Sequence, residues 1–295
     1  MKKVFLVILL LFFGNVFGQS VLTWKLFHPL KKEWIAAGTY RSVQEILIQS
    51  DELPDPFVGE NESKFSWIEN YEWEFKSEYF FTNEELENQY IEILFPSIDT
   101  YASIFVNDSL ITSTENAFKP YHVQIKSFLL PGVNHFKVIF TPPVLFHKKM
   151  FAQREVTYPA PNDVGEIPIA PLTRKPQYQF GWDWALRMNT IGFMKPVEIR
   201  EFNFNKLENV KIETKALLKH EAKMKLSLSF ILPTSSSIRL ESKLFGTYSS
   251  LLLTNGKTEL DVTIANPNLW WPRGQGASYM YHDELKIFDL NIIQS

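Results

Sequence analysis

The sequence predicts an all-β protein: a sandwich or jelly roll followed by an immunoglobulin-like β-sandwich. Three observations carry this. Short segments alternate apolar and polar residues along most of the chain, the pattern of strands buried on one face. Aromatics are abundant, with 25 Phe, 11 Tyr and 8 Trp, while 17 Pro interrupt helical periodicity. A length of 295 residues suits two domains, and 45% hydrophobic content supplies a sizeable core. The net charge of -3 offers no basic field for nucleic acid or an acidic membrane surface. There is no Cys, which excludes disulfides, thiolate catalysis and Cys-based metal sites.

Residues 1–18 read as a secretory leader. Lys2 and Lys3 precede an unbroken apolar run, Val4 to Phe13, and small Gly18 marks the expected cut, with Gln19 as the mature start. The run is short for a spanning helix. The expectation is an exported protein, periplasmic or secreted, that is free of the membrane once the leader is removed.

The first domain is expected over 19–203. Trp24 to Glu33 reads as a polar-aromatic lead-in, and Ile35-Ala36-Ala37-Gly38 as the approach to a loop. Val43, Ile46 and Leu47 follow Ser42 at helical spacing. Leu53-Pro54-Asp55-Pro56-Phe57 stops that helix, because each Pro restricts its predecessor. Asp55 reads there as a turn carboxylate, and a long loop is expected to about Trp67. Strands follow at Trp73 to Phe81, Gln89 to Phe95, Ala102 to Val106, Tyr121 to Ile125, Phe136 to Phe140, and around Val197 and Ile199. Asn107-Asp108 and Pro131-Gly132 turn the chain between them, and Pro142-Pro143 ends the strand before it. This succession describes a sandwich or jelly roll. From Phe140 to Pro196 runs a weakly patterned insertion with five prolines between Pro159 and Pro176. A long insertion in a compact domain is commonly functional.

The second domain is expected over 204–295. Apolar residues alternate at Val210 and Ile212, at Met224 to Phe230, at Ile238 and Leu240, and at Leu260 to Ile264. Asn255-Gly256 signals a hairpin. Trp270-Trp271-Pro272 reads as a rigid packing corner, and Leu285 to Ile293 as one more strand.

The insertion ends in the stretch with the clearest chemistry, Gln179-Phe180-Gly181-Trp182-Asp183-Trp184, preceded by Arg174-Lys175. Gly181 permits a tight turn or a close approach. An indole offers a broad apolar face and one N–H donor. A carboxylate accepts up to about four hydrogen bonds. Together they suit a sugar ring, with its apolar C–H face and rim of hydroxyls. The plainer reading makes both tryptophans core anchors and Asp183 a turn residue.

Other candidates are weaker. The six His are scattered without an i, i+4 metal pair, and no Ser lies in a nucleophile elbow. Asn61-Glu62-Ser63 and Asn107-Asp108-Ser109 fit the glycosylation sequon but read equally as turns. Arg174 and Lys175 read as a solvated charge pair or as partners of carboxylates at a domain interface. No cofactor and no metal site is expected.

The landmarks taken in order resemble the N-terminal part of family 2 glycoside hydrolases of the β-mannosidase type. They are Asp55-Pro56-Phe57, Asn61-Glu62, Trp67, Trp73, Ile98-Asp99-Thr100-Tyr101-Ala102 and Val106-Asn107. Asn116-Ala117-Phe118, Pro131-Gly132-Val133-Asn134, Arg174-Lys175, Phe180-Gly181-Trp182-Asp183-Trp184 and Asn266-Pro267-Asn268-Leu269-Trp270-Trp271-Pro272 complete the series. The chain departs at Ala185-Leu186, where the family often has Gly-Pro, and at Pro176. The resemblance implies a jelly-roll, galactose-binding-like domain, then an immunoglobulin-like sandwich, then a barrel bearing two catalytic glutamates. It implies that Asp183 binds sugar hydroxyls, while Trp182 and Trp184 shape and desolvate the pocket.

Retaining hydrolysis needs two carboxyl groups about 5–5.5 Å apart. Asn61-Glu62 matches a first-domain loop of the family and not its acid/base, so no catalytic residue is assigned. The expectation is a barrel-less portion, inactive by itself. Its partners would be a β-mannoside or other carbohydrate and a separately encoded catalytic barrel. The alternatives are a free-standing carbohydrate-binding or accessory module and a structural sandwich pair without a ligand.

Overall fold

The computed structural model describes residues 5–9, 18–154, 156, 158–165, 167–203, 206–231 and 237–290. Most of the expected leader, residues 1–4 and 10–17, lies outside the described residues. The chain forms two compact units, Phe17–Glu201 and Phe202–Ser295 together with Met1–Val16.

In the first unit a six-stranded antiparallel sheet runs in the order Glu33–Gly38, Trp24–His28, Trp73–Phe81, Gly132–Thr141, Tyr101–Val106, Ser109–Glu115. A four-stranded sheet runs Tyr121–Gln124, Tyr90–Phe95, Glu198–Phe202, Gly18–Val21. The alternation explains the strands. Asn134, Phe136, Val138 and Phe140 turn inward while His135, Lys137 and Ile139 turn outward. One apolar core, including Trp24, Trp73, Phe75, Ile93, Phe95, Phe140 and Phe193, joins residues of both sheets. At Asn107-Asp108 both residues take positive φ, 46° and 64°, which a tight two-residue hairpin requires.

The helix from Ser42 forms as expected, over Val43–Gln49. Ser42 and Glu45 close a reciprocal capping box, and Val43, Ile46 and Leu47 are buried.

Three expectations are corrected. The lead-in and the approach to a loop form an edge hairpin, Trp24–His28 with Glu33–Gly38. Its inward positions are Trp24, Leu26 and His28, and the buried His28 hides the alternation. His28 Nδ1 accepts from the backbone N–H of Leu30 and Lys31 at 3.2 Å, and Nε2 lies 3.0 Å from Glu52. The predicted long loop contains a 3-10 helix, Asn61–Asn70, held by buried Phe65 and Ile68. Pro142-Pro143 ends a strand but also begins a helix, Pro143–Ala152, because proline suits the first helical position.

The second unit places two three-stranded antiparallel sheets face to face. One runs Lys206–Leu217, Glu221–Ile231, Lys257–Ala265, and the other Gly246–Leu252, Ser237–Ser242, Lys286–Asp289. Leu226, Leu228, Phe230, Ile238, Leu240 and Val262 fill the core between them, an immunoglobulin-like arrangement. Asn255 and Gly256 supply the two positive φ angles of its hairpin. The predicted closing strand forms over Lys286–Asp289, and another, Met280–Glu284, precedes it; residues 291–295 lie outside the described residues.

Candidate functional site

The insertion of the first unit folds down to a small hairpin, Phe180–Trp182 with Ala185–Arg187. Trp182 pairs with Ala185, so Asp183 and Trp184 are its two turn residues. Phe180 is buried and packs with Val144, Ile169 and Ala170, which fixes the start of the hairpin. At Gly181 φ is +105°, and a Cβ there would lie 2.7 Å from the Asn162 carbonyl oxygen. Both facts require glycine.

The three residues singled out from the sequence project from this hairpin into solvent. Trp182 is 46% exposed and Trp184 71%, and Asp183 is exposed. The tryptophans are therefore not core anchors. The Trp184 ring leans on Tyr178, with centroids 5.3 Å apart and planes at 41°. Two indole faces and one carboxylate on a single turn offer an apolar surface beside an acceptor fork.

The base of the hairpin is held by charge. The Arg187 guanidinium donates to both Glu69 oxygens, at 2.6 and 3.1 Å, and through Nε to Asp163 at 3.3 Å. Its backbone N–H donates to Glu62 at 2.6 Å. Asp163 also accepts from the backbone N–H of Ile169 and Ala170 at 2.8 and 3.0 Å. Glu69 takes a further bond from Asn189. Burial would lower the Arg187 pKa, but the bonds and charges of Glu69 and Asp163 outweigh it and raise it. Glu62 is thus a hydrogen-bonded residue of the 3-10 helix beside the hairpin. A cavity of about 650 Å³ opens next to this cluster, lined in part by Gln44, Glu62, Phe65, Glu69, Arg187 and Asn189. The Trp-Asp-Trp residues are not part of its lining.

A second buried pair secures the segment on either side. Lys175 Nζ lies 3.1 Å from Asp99 and donates to the Thr190 carbonyl at 2.7 Å. Both side chains are buried, so Lys175 is not solvated, and its carboxylate partner belongs to the same unit. Burial pushes its pKa down, against the pull of Asp99. Asp55 accepts from the Phe57 backbone N–H at 2.9 Å in its turn. No cluster of three or more metal-ligating side chains occurs among the described residues.

Sequence reasoning found the hairpin tip and missed its clamp. Glu69, Asp163, Arg187 and Asn189 come from segments with no shared spacing, and no local signal joins them.

The helix Pro143–Ala152 supports the hairpin through Val144 and carries a titratable group. His147 is buried, with Nε2 2.7 Å from the Tyr101 hydroxyl. Burial first, then the charge of Arg154, lowers its pKa. The unfolded chain therefore binds more protons than the folded one just below about pH 6.5. This group's contribution to stability is present above that pH and is lost as pH falls. Glu201 acts in the opposite sense, because burial and then Glu85 raise its pKa to about 7. Its contribution is present at low pH and is lost as pH rises through that value. The readout is therefore the difference between wild type and His147→Gln. Urea midpoints from pH 7.5 to 5 should fall more steeply for the wild type, and parallel curves would refute the assignment.

The family model described as "Glycosyl hydrolase 2 galactose-binding domain-like" matches residues 24–195, more than half of the chain. The chain belongs to this family. Within glycosyl hydrolase family 2 it is 27% identical to beta-mannosidase B of Thermothelomyces thermophilus over 244 residues, 78% of this chain and 27% of the relative. Against beta-mannosidase B of Emericella nidulans it is 26% identical over 262 residues, 84% of this chain and 30% of the relative. The crystal structure of beta-D-mannosidase from Dictyoglomus thermophilum superposes with a TM-score of 0.78 and 26% identity, over 94% of this chain and 34% of that chain. This member of glycosyl hydrolase family 2 thus has a β-mannosidase-like N-terminal region, and it spans under a third of the length of these curated relatives.

Proposed function

We propose that the chain is the substrate-holding, non-catalytic N-terminal portion of an exported β-mannosidase-like glycoside hydrolase. Trp182, Asp183 and Trp184 contact the terminal mannose. The observation that carries this reading is the hairpin tip, where two exposed indoles flank an exposed carboxylate, in a chain whose relatives are β-mannosidases. Asp183 accepts hydrogen bonds from sugar hydroxyls, and the indoles cover the C–H face and exclude water. The double displacement is assigned to a carboxyl pair on a catalytic barrel, on the same or a separate polypeptide. Export rests on the basic start and apolar run of residues 1–18, with the cut near Gly18. No helix among the described residues is long and apolar enough to cross a membrane.

The test is hydrolysis of an aryl β-mannoside. Residues 19–295 alone should give no turnover. In the β-mannoside-hydrolysing protein, Asp183→Ala should lower kcat/KM about 10- to 100-fold, the worth of a hydrogen bond to a charged group. An unchanged kcat/KM would sink the reading. Sugar affinity of residues 19–295 by themselves would favour a free-standing carbohydrate-binding module instead.

A further inference from the structure

We infer that Arg187 is the positioning residue that aims the Trp-Asp-Trp tip, an inference that rests on the sugar-contact reading for its functional half. The tip makes little packing of its own, since Trp182, Asp183 and Trp184 are all exposed and the ring contact of Trp184 is to Tyr178. Its direction is set at the base. There Arg187, the last residue of the second strand, meets three carboxylates from two other segments. Glu62 and Glu69 belong to the 3-10 helix Asn61–Asn70, and Asp163 belongs to the loop that leads to Ile169 and Ala170.

Each contact fixes a different degree of freedom. Glu62 holds the backbone N–H at 2.6 Å. Glu69 takes the guanidinium edge in a two-pronged fork at 2.6 and 3.1 Å, which sets the plane of the group. Asp163 takes Nε at 3.3 Å, which sets its rotation. An apolar side chain of similar volume would anchor a strand as well as a buried ion pair does. What the fork adds is a defined angle. The surroundings are shaped for it, because a Cβ on Gly165 would lie 2.2 Å from Arg187 Nη2. Lysine keeps the charge but cannot make the fork.

The experiment has two arms. In the chain itself, amide hydrogen exchange is followed across residues 180–187 and across Trp73–Phe81, with the melting midpoint as a control. Arg187→Lys should speed exchange in the hairpin by about tenfold or more while the central strand and the midpoint hold. Gly165→Ala, which crowds the guanidinium without removing it, should act in the same direction. In the β-mannoside-hydrolysing protein, Arg187→Lys should raise KM for an aryl β-mannoside about tenfold, with a smaller change in kcat. Unchanged hairpin exchange in Arg187→Lys overturns the inference. So does an unchanged KM in Arg187→Lys when Asp183→Ala raises it. Faster hairpin exchange with KM unmoved by both variants supports the positioning and overturns the sugar-contact reading.

Discussion

Asp99→Ala is expected to cost about 3–5 kcal/mol of folding stability, the usual penalty for removing one partner of a buried ion pair. The Lys175 side chain is fully buried and that of Asp99 is 2% exposed. Besides the ammonium, Asp99 accepts from the Thr100 hydroxyl and from the Thr190 hydroxyl at 2.7 Å. Alanine would leave Lys175 with the Thr190 carbonyl and only the more distant charge of Glu69, in a place where burial already disfavours its charged form. The loss is a large share of the roughly 5–15 kcal/mol that a native protein has in hand.

The double variant Asp99→Ala/Lys175→Met removes both charges and should recover more than half of the loss, since the stranded ammonium is the main cost. Urea denaturation of the three proteins at pH 7 measures this. A single-variant loss below about 1 kcal/mol, or a double variant no better than the single, would show that the pair is not electrostatically coupled. The consequence reaches the hairpin. Asp99 pairs with Gly192, and Lys175 and Thr190 stand on either side of residues 180–187, so this pair closes the base of the segment that presents Trp182, Asp183 and Trp184.

How much of this was legible in the sequence depended on range. Trp73–Phe81 and Gly132–Thr141 were readable because each buries alternate residues along its own length. The hairpins at Asn107-Asp108 and Asn255-Gly256 were readable because few residue pairs tolerate two positive φ angles. The Trp-Asp-Trp tip stood out for a different reason: its three residues are consecutive.

What failed depended on partners far along the chain. The strand Trp24–His28 buries a histidine whose Nδ1 accepts from a local turn and whose Nε2 faces the Glu52 carboxylate, so its inward face does not look apolar. Asn61–Asn70 gives no helical signal because its two buried apolar residues, Phe65 and Ile68, are too few to mark a period. The fork between Arg187 and Glu69 spans 118 residues of sequence, and neither residue carries a mark of the other. Lys175 reads in the sequence as a charge for solvent or an interface. Its burial follows from Asp99, 76 residues earlier, which the sequence did not tie to it.

Phe193→Ala is expected to cost about 3–5 kcal/mol, as large aromatic deletions from a core do. Phe193 is 1% exposed. Its ring centroid lies 4.7 Å from Trp24, 5.1 Å from Phe75 and 5.3 Å from Phe140, all on the six-stranded sheet. It also lies 6.1 Å from Phe95 on the four-stranded sheet. One residue thus joins the two layers, and its T-shaped contacts with Phe75 and Phe140 add roughly 0.5–1.5 kcal/mol each beyond burial. Alanine would open a void against four rings that belong to different strands and cannot all collapse into it.

The loss should therefore be global and not confined to the insertion. Urea transitions followed by near-ultraviolet dichroism and by exchange in Trp73–Phe81 should shift together. Phe193→Leu, which keeps most of the volume, should cost less than half as much. A transition that moved only within residues 142–195, with the central strand unaffected, would place Phe193 as an anchor of the insertion alone. In that case Asp99→Ala would exceed Phe193→Ala in its effect on the core strands.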